Sequence, residues 1–365
     1  MLYINGRFLT QPMTGVERYA YSICKALAEL HQPFTIVCPK APVHKSYDVS
    51  NFTIVHFGIG NSHFWEQCVF PLFFINKKEY MVLSLTGLGS ILLRHKIMTV
   101  HDLSFLKTPS WYSRSYYWYY RIMTPLAVRT SLHILTVSEF SKSEILHFYP
   151  FLNGDKISVV YNAINKSLFR FRDDIPAPSE RYVLAVSSID PRKNFARLLE
   201  AYQGIDDVKL YIVGNYNPVF QRQKGLAYDS PDVKFIGRAT DKELVTLYNQ
   251  AECFVFPSLY EGFGLPPLEA MACGCPVLAS DIPVEREICA DAAIYFNPLS
   301  TEDIRNAILN QLGSDESSIN ELRQKGFRNI ERFSWESSAE TIIKLVEKSL
   351  NLSGKQHNKQ AGFPL

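Results

Sequence analysis

The chain has 365 residues, of which 47% are hydrophobic and 20% charged, and its formal net charge is +2. This length exceeds what one ordinary hydrophobic core organises, so it favours two domains. The composition excludes a disordered chain, and the near-neutral charge provides no field that would attract nucleic acid.

The first half of the chain alternates short apolar strands with helices. A strand LYING leads through a turn-rich loop to VERYAYSICKALAEL, which places Tyr19, Ile23 and Leu27 on one helical face. The runs FTIVCP, FTIVHF, YMVLSL, KIMTVHD and HILTVSE predict further buried strands. Strands that are apolar throughout and separated by helices predict a parallel sheet covered on both faces.

The alternation stops between about residues 165 and 180, where a polar stretch with two prolines predicts an interdomain linker. It then resumes with the strands YVLAVSS, VKLYIVG, VKFIG, CFVFP, PVLAS and AAIYFNP and the helices NFARLLEAYQGI, DKELVTLYNQA, PPLEAMAC and STEDIRNAILNQL. We therefore predict domains at 1–167 and 168–335, a helix at 336–352 that packs back on the first domain, and a disordered tail at 353–365. Ligands of such sheets bind at the carboxyl ends of the strands.

The cysteines and the N-terminus indicate the compartment. Seven cysteines at irregular spacing predict free thiols in the core of a reduced protein. The N-terminus lacks the basic and apolar segments of a signal peptide, and the apolar stretch at 81–93 is too short to span a bilayer. We expect a cytoplasmic protein, with attachment to the inner face of the plasma membrane as the alternative.

The stretch SLYEGFGLPPLEAMACGCPVLAS places Glu261 and Glu269 on either side of a turn rich in glycine and proline. Pro266 fits the first position of a helix, and a helix start offers free N–H groups and partial positive charge to a phosphate. Gly262 and Gly264 let the backbone approach a ligand closely. For either glutamate alone, complementing the helix dipole or solvating a loop is the simpler interpretation. The pair together with the glycines favours binding of sugar hydroxyls on both sides of a diphosphate.

The segment EGFGLPPLEA resembles the Glu-x7-Glu motif of retaining family 4 glycosyltransferases. TGVERYA, VHDLSF, LTVSEFSKSEI, VVYNAIN, DPRKN, YIVG and FIGRATDKEL resemble other segments of that family in the same order, so the resemblance covers nearly the whole chain. It implies the α/β GT-B fold, in which two Rossmann-like parallel-sheet domains face each other across a cleft. The residues within these segments are most similar to those of bacterial mannosyltransferase-type enzymes of O-antigen, capsule or exopolysaccharide assembly.

The resemblance implies catalytic and sugar-binding roles for four positions. Glu261 would contact the transferred sugar and stabilise charge near its anomeric carbon. His101 and Asp102 would lie near that sugar and the attacking hydroxyl, although a lone histidine is more often structural and Asp102 can simply cap or orient. Glu269 would bind the ribose hydroxyls of a nucleotide.

The resemblance also implies a phosphate clamp and a base site. Lys193 and Arg192 would neutralise the diphosphate, on which negative charge grows as the glycosidic bond breaks. Many family members carry an arginine where this chain has Ser188, so either Arg192 or a more distant arginine completes the clamp. Gly237 and Arg238 would pack against the base. The remaining predicted diphosphate-binding positions are Gly15, Val16, Gly262, Phe263, Gly264 and Leu265.

The implied donor is a nucleoside-diphosphate sugar, with GDP-mannose as the choice and a UDP-sugar as the alternative. The implied acceptor is a glycan or a polyprenyl-linked oligosaccharide, and no further cofactor is implied. Because the chain has no Asp-x-Asp triplet, we expect metal-independent transfer. Front-face attack is the expected retaining mechanism, and a covalent intermediate on Glu261 is its rival.

Two aromatic stretches, at 63–74 and 111–123, have two interpretations. Packing into the core and between helices is the simpler one. The alternative is an acceptor groove or a membrane-surface patch, to which Arg114 and Arg121 would add charge.

Other functions fit the residues less well. A nucleotide-dependent oxidoreductase would need the third glycine of G-x-G-x-x-G, but GFGLPP has Pro267 there. A sugar-nucleotide epimerase or a phosphorylase would keep the fold, although no stretch singles out a lysine for pyridoxal phosphate. A non-catalytic nucleotide-sugar-binding protein is the remaining alternative, against which Lys193, His101 and the intact glutamate pair argue.

Overall fold

A computed structural model describes residues 1–214 and 230–360, with side chains described through residue 350. The chain divides into two compact units, which are described separately below. Unit 1 is Met1–Asn162 together with Ser334–Leu365, and unit 2 is Ala163–Phe333. The divisions thus fall a few residues before the expected boundaries at 167 and 335.

Unit 1 contains a seven-stranded sheet in which all neighbouring strands run parallel. The strands in chain order are β1 Leu2–Asn5, β2 Phe34–Cys38, β3 Ile54–His56, β4 Met81–Ser84, β5 Lys96–Val100, β6 His133–Thr136 and β7 Ile157–Val159. Their spatial order is β3-β2-β1-β4-β5-β6-β7, so the direction of winding reverses between β1 and β4. Every residue of β1, β4 and β5 is buried, as expected for a parallel sheet covered on both faces.

The helices of unit 1 are α1 Gly15–Glu29, α2 Ser104–Lys107, α3 Arg114–Thr130, α4 Glu139–Phe148 and α11 Trp335–Gln360. The predicted face of α1 is fully buried at Tyr19, Ile23 and Leu27. Helix α11 packs on α1, where the rings of Tyr19 and Trp335 are 6.0 Å apart. It continues past residue 352, where the predicted helix ends, and residues 361–365 of the predicted tail lie outside the described residues.

Unit 2 contains a six-stranded parallel sheet. Its strands are β8 Tyr182–Val186, β9 Lys209–Val213, β10 Val233–Gly237, β11 Cys253–Phe256, β12 Val277–Ser280 and β13 Ile294–Phe296. Its helices are α5 Phe195–Tyr202, α6 Asp241–Gln250, α7 Leu265–Ala272, α8 Pro283–Cys289, α9 Thr301–Leu312 and α10 Glu316–Ile330. The spatial order β10-β9-β8-β11-β12-β13 reverses winding between β8 and β11. Phe195 and Leu198 of α5 and Ile304 and Ile308 of α9 pack into one core with the sheet.

The stretch predicted as a linker is tied to unit 2. No helix or strand occurs between Val159 and Tyr182. The side chain of Asn249 in α6 accepts the backbone N–H of Arg172 at 2.8 Å and donates to the carbonyl of Arg170 at 3.1 Å. These bonds hold the extended chain along α6, so it is an ordered part of the unit rather than a free connection.

Two further expectations concern free cysteine thiols in the core and the lack of a membrane-spanning stretch. Six of the seven cysteines are buried and unbonded, whereas Cys68 is exposed. No helix among the described residues combines the length and hydropathy needed to cross a bilayer.

Candidate functional site

The carboxyl edge of the unit 2 sheet brings several of the predicted residues together. In open parallel sheets, ligands bind outside the strand ends at the point where winding reverses. In unit 2 this point lies between β8 and β11. Lys193 lies in a short 3-10 helix, Pro191–Lys193, that follows β8, and Glu261 lies in the loop that follows β11. The fold therefore directs these two residues to the expected position.

Lys193 and Glu261 form a buried ion pair. The Nζ atom of Lys193 donates to Oε1 of Glu261 at 2.6 Å, and each side chain is only 9% exposed. The ammonium also lies 5.7 Å from the ring centroid of Phe256, the last residue of β11. A buried charge is tolerated only when it is paired, so each residue depends on the other in the absence of a ligand.

The turn that carries Lys193 is fixed by side chains close to it in sequence. The carboxylate of Asp190 accepts the backbone N–H of Arg192 at 3.0 Å and the hydroxyl of Ser188 at 2.8 Å. The guanidinium Nε of Arg192 lies 3.9 Å from the same carboxylate. Ser188, which stands where the family often has arginine, thus helps to orient Asp190.

Asn194 is a site residue that the sequence reasoning missed. Its backbone is left-handed, with φ of 59°, which asparagine tolerates better than most residues. Its Nδ2 donates to the carbonyls of Pro257 at 3.0 Å and Pro298 at 2.8 Å. The N–H of Leu259 donates to the carbonyl of Arg192 at 2.8 Å. Asn194 and this bond fasten the lysine turn to the loop that carries Glu261, and an asparagine just after a turn was the only available sequence signal.

The start of α7 is built differently from the prediction. Gly264 is its N-cap with φ of +99°, Leu265 is the first helical residue, and Pro266 is the second rather than the first. Pro266 and Pro267 carry no N–H, so the first turn has fewer donors than an ordinary helix start. Any anion bound here depends on N–H groups of Leu265 and of the residues just before it.

Glu285 in α8 is a second residue that sequence reasoning missed. Its side chain is fully buried and its carboxyl lies against the α-carbon of Gly264, since a Cβ added there would lie 2.8 Å from Oε1. Burial, followed by the nearby carboxylate of Glu261, raises the pKa of Glu285 well above its usual range. Helix α8 has only seven residues and begins with proline, so no apolar period marked it.

Glu269 lies in α7 with its carboxylate buried. Oε2 accepts the hydroxyl of Tyr248, from α6, at 3.3 Å. Burial raises the pKa of Tyr248 well above its usual range, so this phenol remains an O–H donor at neutral pH. Tyr248 was not among the predicted site residues, because only the packing of α6 on α7 brings it to Glu269.

Gly237 and Arg238 follow β10, the edge strand of the same sheet. Gly237 has φ of +77°, lies at a bulge and accepts the N–H of Gly214 at 2.8 Å. Both residues are exposed. They lie on the β9 side of the switch point, two strands away from β8.

Gly15 and Val16 open α1 at the carboxyl edge of the unit 1 sheet. The helix start carries a capping box in which the carboxylate of Glu17 accepts the N–H of Thr14 at 3.3 Å. A Cβ added at Gly15 would meet no atom within 4 Å. The space beside Gly15 is open, although Glu17 already places a negative charge at this helix start.

His101 follows β5, and its ring contacts Leu85 and Tyr19. Its Nε2 donates to the carbonyl of Leu85 at 2.8 Å, and its ring lies 5.0 Å edge-on from that of Tyr19. Burial lowers the pKa of His101, opposed by the carbonyl bond and by the charges of Asp102 and Glu17. The ring is therefore neutral at pH 7, with its proton on Nε2 and its basic lone pair on Nδ1.

Asp102 acts as a local cap. Its Oδ1 accepts the backbone N–H of Ser104 at 2.9 Å and also the hydroxyl of that residue. The hydroxyl of Ser104 contacts that of Tyr112 in turn. These bonds secure the first turn of α2 directly after His101.

A further group that sequence reasoning missed lies at the end of β1. The buried carboxylate of Glu66 accepts the amide of Asn5 at 2.7 Å and lies 3.8 Å from Arg7 and 3.7 Å from His63. Despite the penalty of burial, these partners lower the pKa of Glu66, so it is ionised. Tyr119 of α3 contacts the ring of His63, with 4.6 Å between centroids. Only the sheet brings residues this distant in sequence to one strand end.

Two family profiles together match nearly the whole chain. The profile described as Glycosyltransferase Family 4 matches residues 13–168, and that described as Glycosyl transferases group 1 matches residues 169–329. The chain is also 30% identical over 332 residues to the O-antigen chain mannosyltransferase RfbU of Salmonella typhimurium, covering 85% of this chain and 90% of that protein. The chain is a glycosyltransferase of family 4.

Solved structures agree with this assignment at the level of the fold. The Anabaena protein HepE, whose structure contains UDP and glucose, superposes with a TM-score of 0.74 at 15% identity. The superposition covers 95% of the present chain and 99% of HepE. WaaG, described as a glycosyltransferase of lipopolysaccharide biosynthesis, has a TM-score of 0.71 at 15% identity over 95% and 99% of the two chains. The two parallel-sheet units are those of the GT-B fold, as predicted.

Proposed function

We propose that this glycosyltransferase moves mannose from GDP-mannose, with a UDP-sugar as the alternative donor, to a glycan acceptor. The reaction retains anomeric configuration, needs no metal ion, and extends a bacterial surface polysaccharide. The observation that carries the proposal is the buried Lys193–Glu261 pair, beside a glycine-capped helix start at the switch point of unit 2. The names of RfbU and HepE support the mannosyl choice and the UDP alternative, respectively.

The donor diphosphate binds at this switch point. The ammonium of Lys193 and the N–H groups around Gly264 and Leu265 face a diphosphate there, and stabilise the charge that grows on it as it leaves. Glu269, steadied by the phenol of Tyr248, accepts the ribose hydroxyls. Gly237 and Arg238 contact the base, and Arg192 supplements Lys193.

Glu261 acts by electrostatics and hydrogen bonding rather than as a nucleophile. A carboxylate that already accepts an ammonium at 2.6 Å is a weakened nucleophile, but it still stabilises positive charge at an anomeric carbon. The leaving phosphate then takes the proton of the acceptor hydroxyl on the same face. Isolation of a sugar ester of Glu261 from a quenched reaction would establish the covalent rival instead.

His101 serves the acceptor side of the reaction. His101 is a neutral imidazole whose Nε2–H donates a hydrogen bond to the carbonyl of Leu85. Its Nδ1 can therefore accept a hydrogen bond from a hydroxyl of the donor sugar or of the acceptor substrate. Asp102 orients the turn that follows rather than reacting directly. By the family resemblance, the backbone N–H groups of Gly15 and Val16 at the start of α1 would also bind phosphate.

Thermal shift with a panel of nucleotide sugars tests the donor. A donor that binds the folded state raises Tm as its concentration rises above Kd. We expect GDP-mannose to raise Tm, and Lys193→Met to abolish that shift while Lys166→Met, at a surface pair with Glu331, keeps it. Transfer in the presence of EDTA tests metal independence. A panel without any stabilising nucleotide sugar would refute the proposal.

We further propose that the acceptor is lipid-linked and that the enzyme contacts a membrane surface through α3. Trp118 and Ile122, one helical turn apart, are 54% and 57% exposed, and Leu126 follows at the next turn. Arg121 lies over the ring of Trp118, and α3 contains no acidic residue. An exposed apolar stripe with arginines suits an anionic bilayer at the cytoplasmic face.

Packing into the core, the simpler interpretation of the two aromatic stretches, therefore accounts for the second stretch only in part. Trp65, Phe70 and Phe74 of the first stretch are buried core residues, whereas Trp118 of the second is exposed. Co-sedimentation with vesicles of anionic lipid tests the surface. We expect the wild type to bind these vesicles and the double variant Trp118→Ser/Ile122→Ser to lose binding. The control variant Leu309→Ser, at an exposed leucine of α9, should bind as the wild type does. Equal sedimentation of all three proteins would refute membrane contact.

A further inference from the structure

The buried carboxyl of Glu285 has no role in the mechanism above. Oε2 accepts a weak bond from the thiol of Cys289 at 3.5 Å, and Oε1 has no hydrogen-bond partner among the described residues. Natural proteins rarely leave a buried polar atom unpaired, and such an atom calls for a specific explanation.

The position of this carboxyl is the first part of the explanation. It lies against the α-carbon of Gly264, the N-cap of α7, so closely that a Cβ there would overlap both oxygens and Cδ at 2.8 to 3.4 Å. Any change in the volume or position of this side chain shifts the backbone at Gly264. That backbone forms part of the proposed diphosphate site.

The charge of the site is the second part. One ammonium, that of Lys193, is already engaged by Glu261 at 2.6 Å. An ionised Glu285 would add a second carboxylate to a site that must accept a dianionic diphosphate, and like charges at short range are unfavourable. A neutral Glu285 adds no charge, so the charges of Lys193 and Glu261 continue to offset each other.

We propose that Glu285 is a positioning residue of the donor site, which is kept as the neutral acid so that it both supports the Gly264 backbone and keeps excess negative charge away from the diphosphate. This inference rests on the proposed function. Glu285 acts through Gly264 and through the Lys193–Glu261 pair.

The surroundings are consistent with a neutral side chain. Burial and then the charge of Glu261 raise the pKa of Glu285, while the Cys289 bond and Lys193 oppose the rise. The hydroxyl of Tyr295 donates to the backbone carbonyl of Glu285 at 3.2 Å. The titratable and charged groups that face Glu285 or its thiol partner from the packed elements are Glu261, Lys193, Cys289, Tyr295 and Arg332.

The experiment measures the affinity of the full-length enzyme for GDP and UDP by calorimetry across pH. We expect wild-type affinity to fall by about tenfold or more as pH is raised and Glu285 ionises, since one unit of pKa coupling is a tenfold change. Glu285→Gln, a neutral isostere, should bind with no such decline. Glu285→Ala should bind weakly at every pH, because Gly264 loses its support.

Two controls separate this role from a merely structural one. Glu287→Gln makes the same change two residues along α8, at a partly exposed side chain, and should keep the wild-type pH profile. Thermal unfolding without nucleotide gives a second measure. Because the pKa of the folded state is raised, wild-type stability should decline as pH rises above the ordinary value of 4.5, and Glu285→Gln should lack that part of the decline.

The outcomes are distinct. Three outcomes would each overturn the inference while leaving the proposed function in place. They are a wild-type affinity that does not change with pH, an affinity of Glu285→Gln that declines as that of the wild type does, and normal affinity of Glu285→Ala. If Glu285→Ala does not fold, the comparison of wild type with Glu285→Gln still decides. Absence of binding of every nucleotide and nucleotide sugar by the wild type would instead refute the proposed function, and this inference with it.

Discussion

The ammonium of Lys193 donates to the carboxylate of Glu261 at 2.6 Å across 68 residues of sequence, and both side chains are nearly excluded from solvent. Because β8 and β11 are neighbours at the switch point, the two residues that follow them meet at one strand edge. An ion pair in this position serves the fold and the proposed chemistry together, and its removal should affect both.

We expect Lys193→Met to lower the free energy of unfolding by about 3 kcal/mol or more, because it leaves Glu261 buried and uncompensated. Lys166→Met removes a surface partner of Glu331 at 2.8 Å and should cost less than about 1 kcal/mol. Urea denaturation of both variants measures the difference. Similar losses would mean that the Lys193 pair is not effectively buried.

The two glutamates should differ in kinetic effect. Glu269→Ala should chiefly raise KM for the donor, because the proposed ribose contact exists before and during transfer, whereas Glu261→Ala should chiefly lower kcat. Tyr248→Phe removes only the 3.3 Å bond to Glu269 and should raise KM less than Glu269→Ala does. Steady-state kinetics with varied donor supplies the measurement. Equal losses in both parameters for both glutamate variants would contradict the assigned roles.

Gly264→Ala should destabilise the enzyme by about 2 kcal/mol or more, because its φ of +99° and its contact with Glu285 both oppose a side chain. Gly237→Ala carries only the strain of φ +77°, with open space around it, and should cost about 1 kcal/mol. Thermal unfolding of the two variants isolates the steric contribution of Glu285. If they lose equal stability, the contact at Gly264 is not tight.

The pH dependence of stability should contain a contribution from His133. Burial, with the charges of Lys348, Lys156 and Lys142, lowers the pKa of His133 to about 4, and its Nε2 bonds Ser158 at 2.9 Å. Since the ordinary value is 6.5, the unfolded chain binds a proton between pH 6.5 and about 4 that the folded chain does not. The stability contribution is therefore complete above pH 6.5 and is lost as pH falls.

We expect His133→Asn to lose less stability than the wild type when pH is lowered from about 7.5 to about 5, within which a histidine of ordinary pKa titrates. His147→Asn, at an exposed residue of α4, should behave as the wild type. Chemical denaturation at the two pH values provides the comparison. An identical pH dependence in His133→Asn would show that the histidine is not desolvated.

The local sequence was sufficient for most regular elements, because each predicted strand is a largely apolar run and each predicted helix has an amphipathic period. Helices α2, α3, α4, α8 and α10 and strand β7 were not predicted. Helix α8 has seven residues and β7 three, and both are too short to show a period. Helix α10, ESSINELRQKGFRNI, is mostly polar and buries few residues, so it resembles a loop in composition.

The residue types of the candidate site could also be deduced from sequence, since Lys193, Glu261, Gly264 and Glu269 lie in short motifs directly after strands or at a helix start. Their partners could not. Asn194, Tyr248 and Glu285 act through contacts with chain segments that are distant in sequence. No local pattern encodes such contacts, because they arise only when parallel strands align their ends and helices pack across them. Charge pairing, burial and the state of the Glu285 carboxyl are for the same reason properties of the assembled fold.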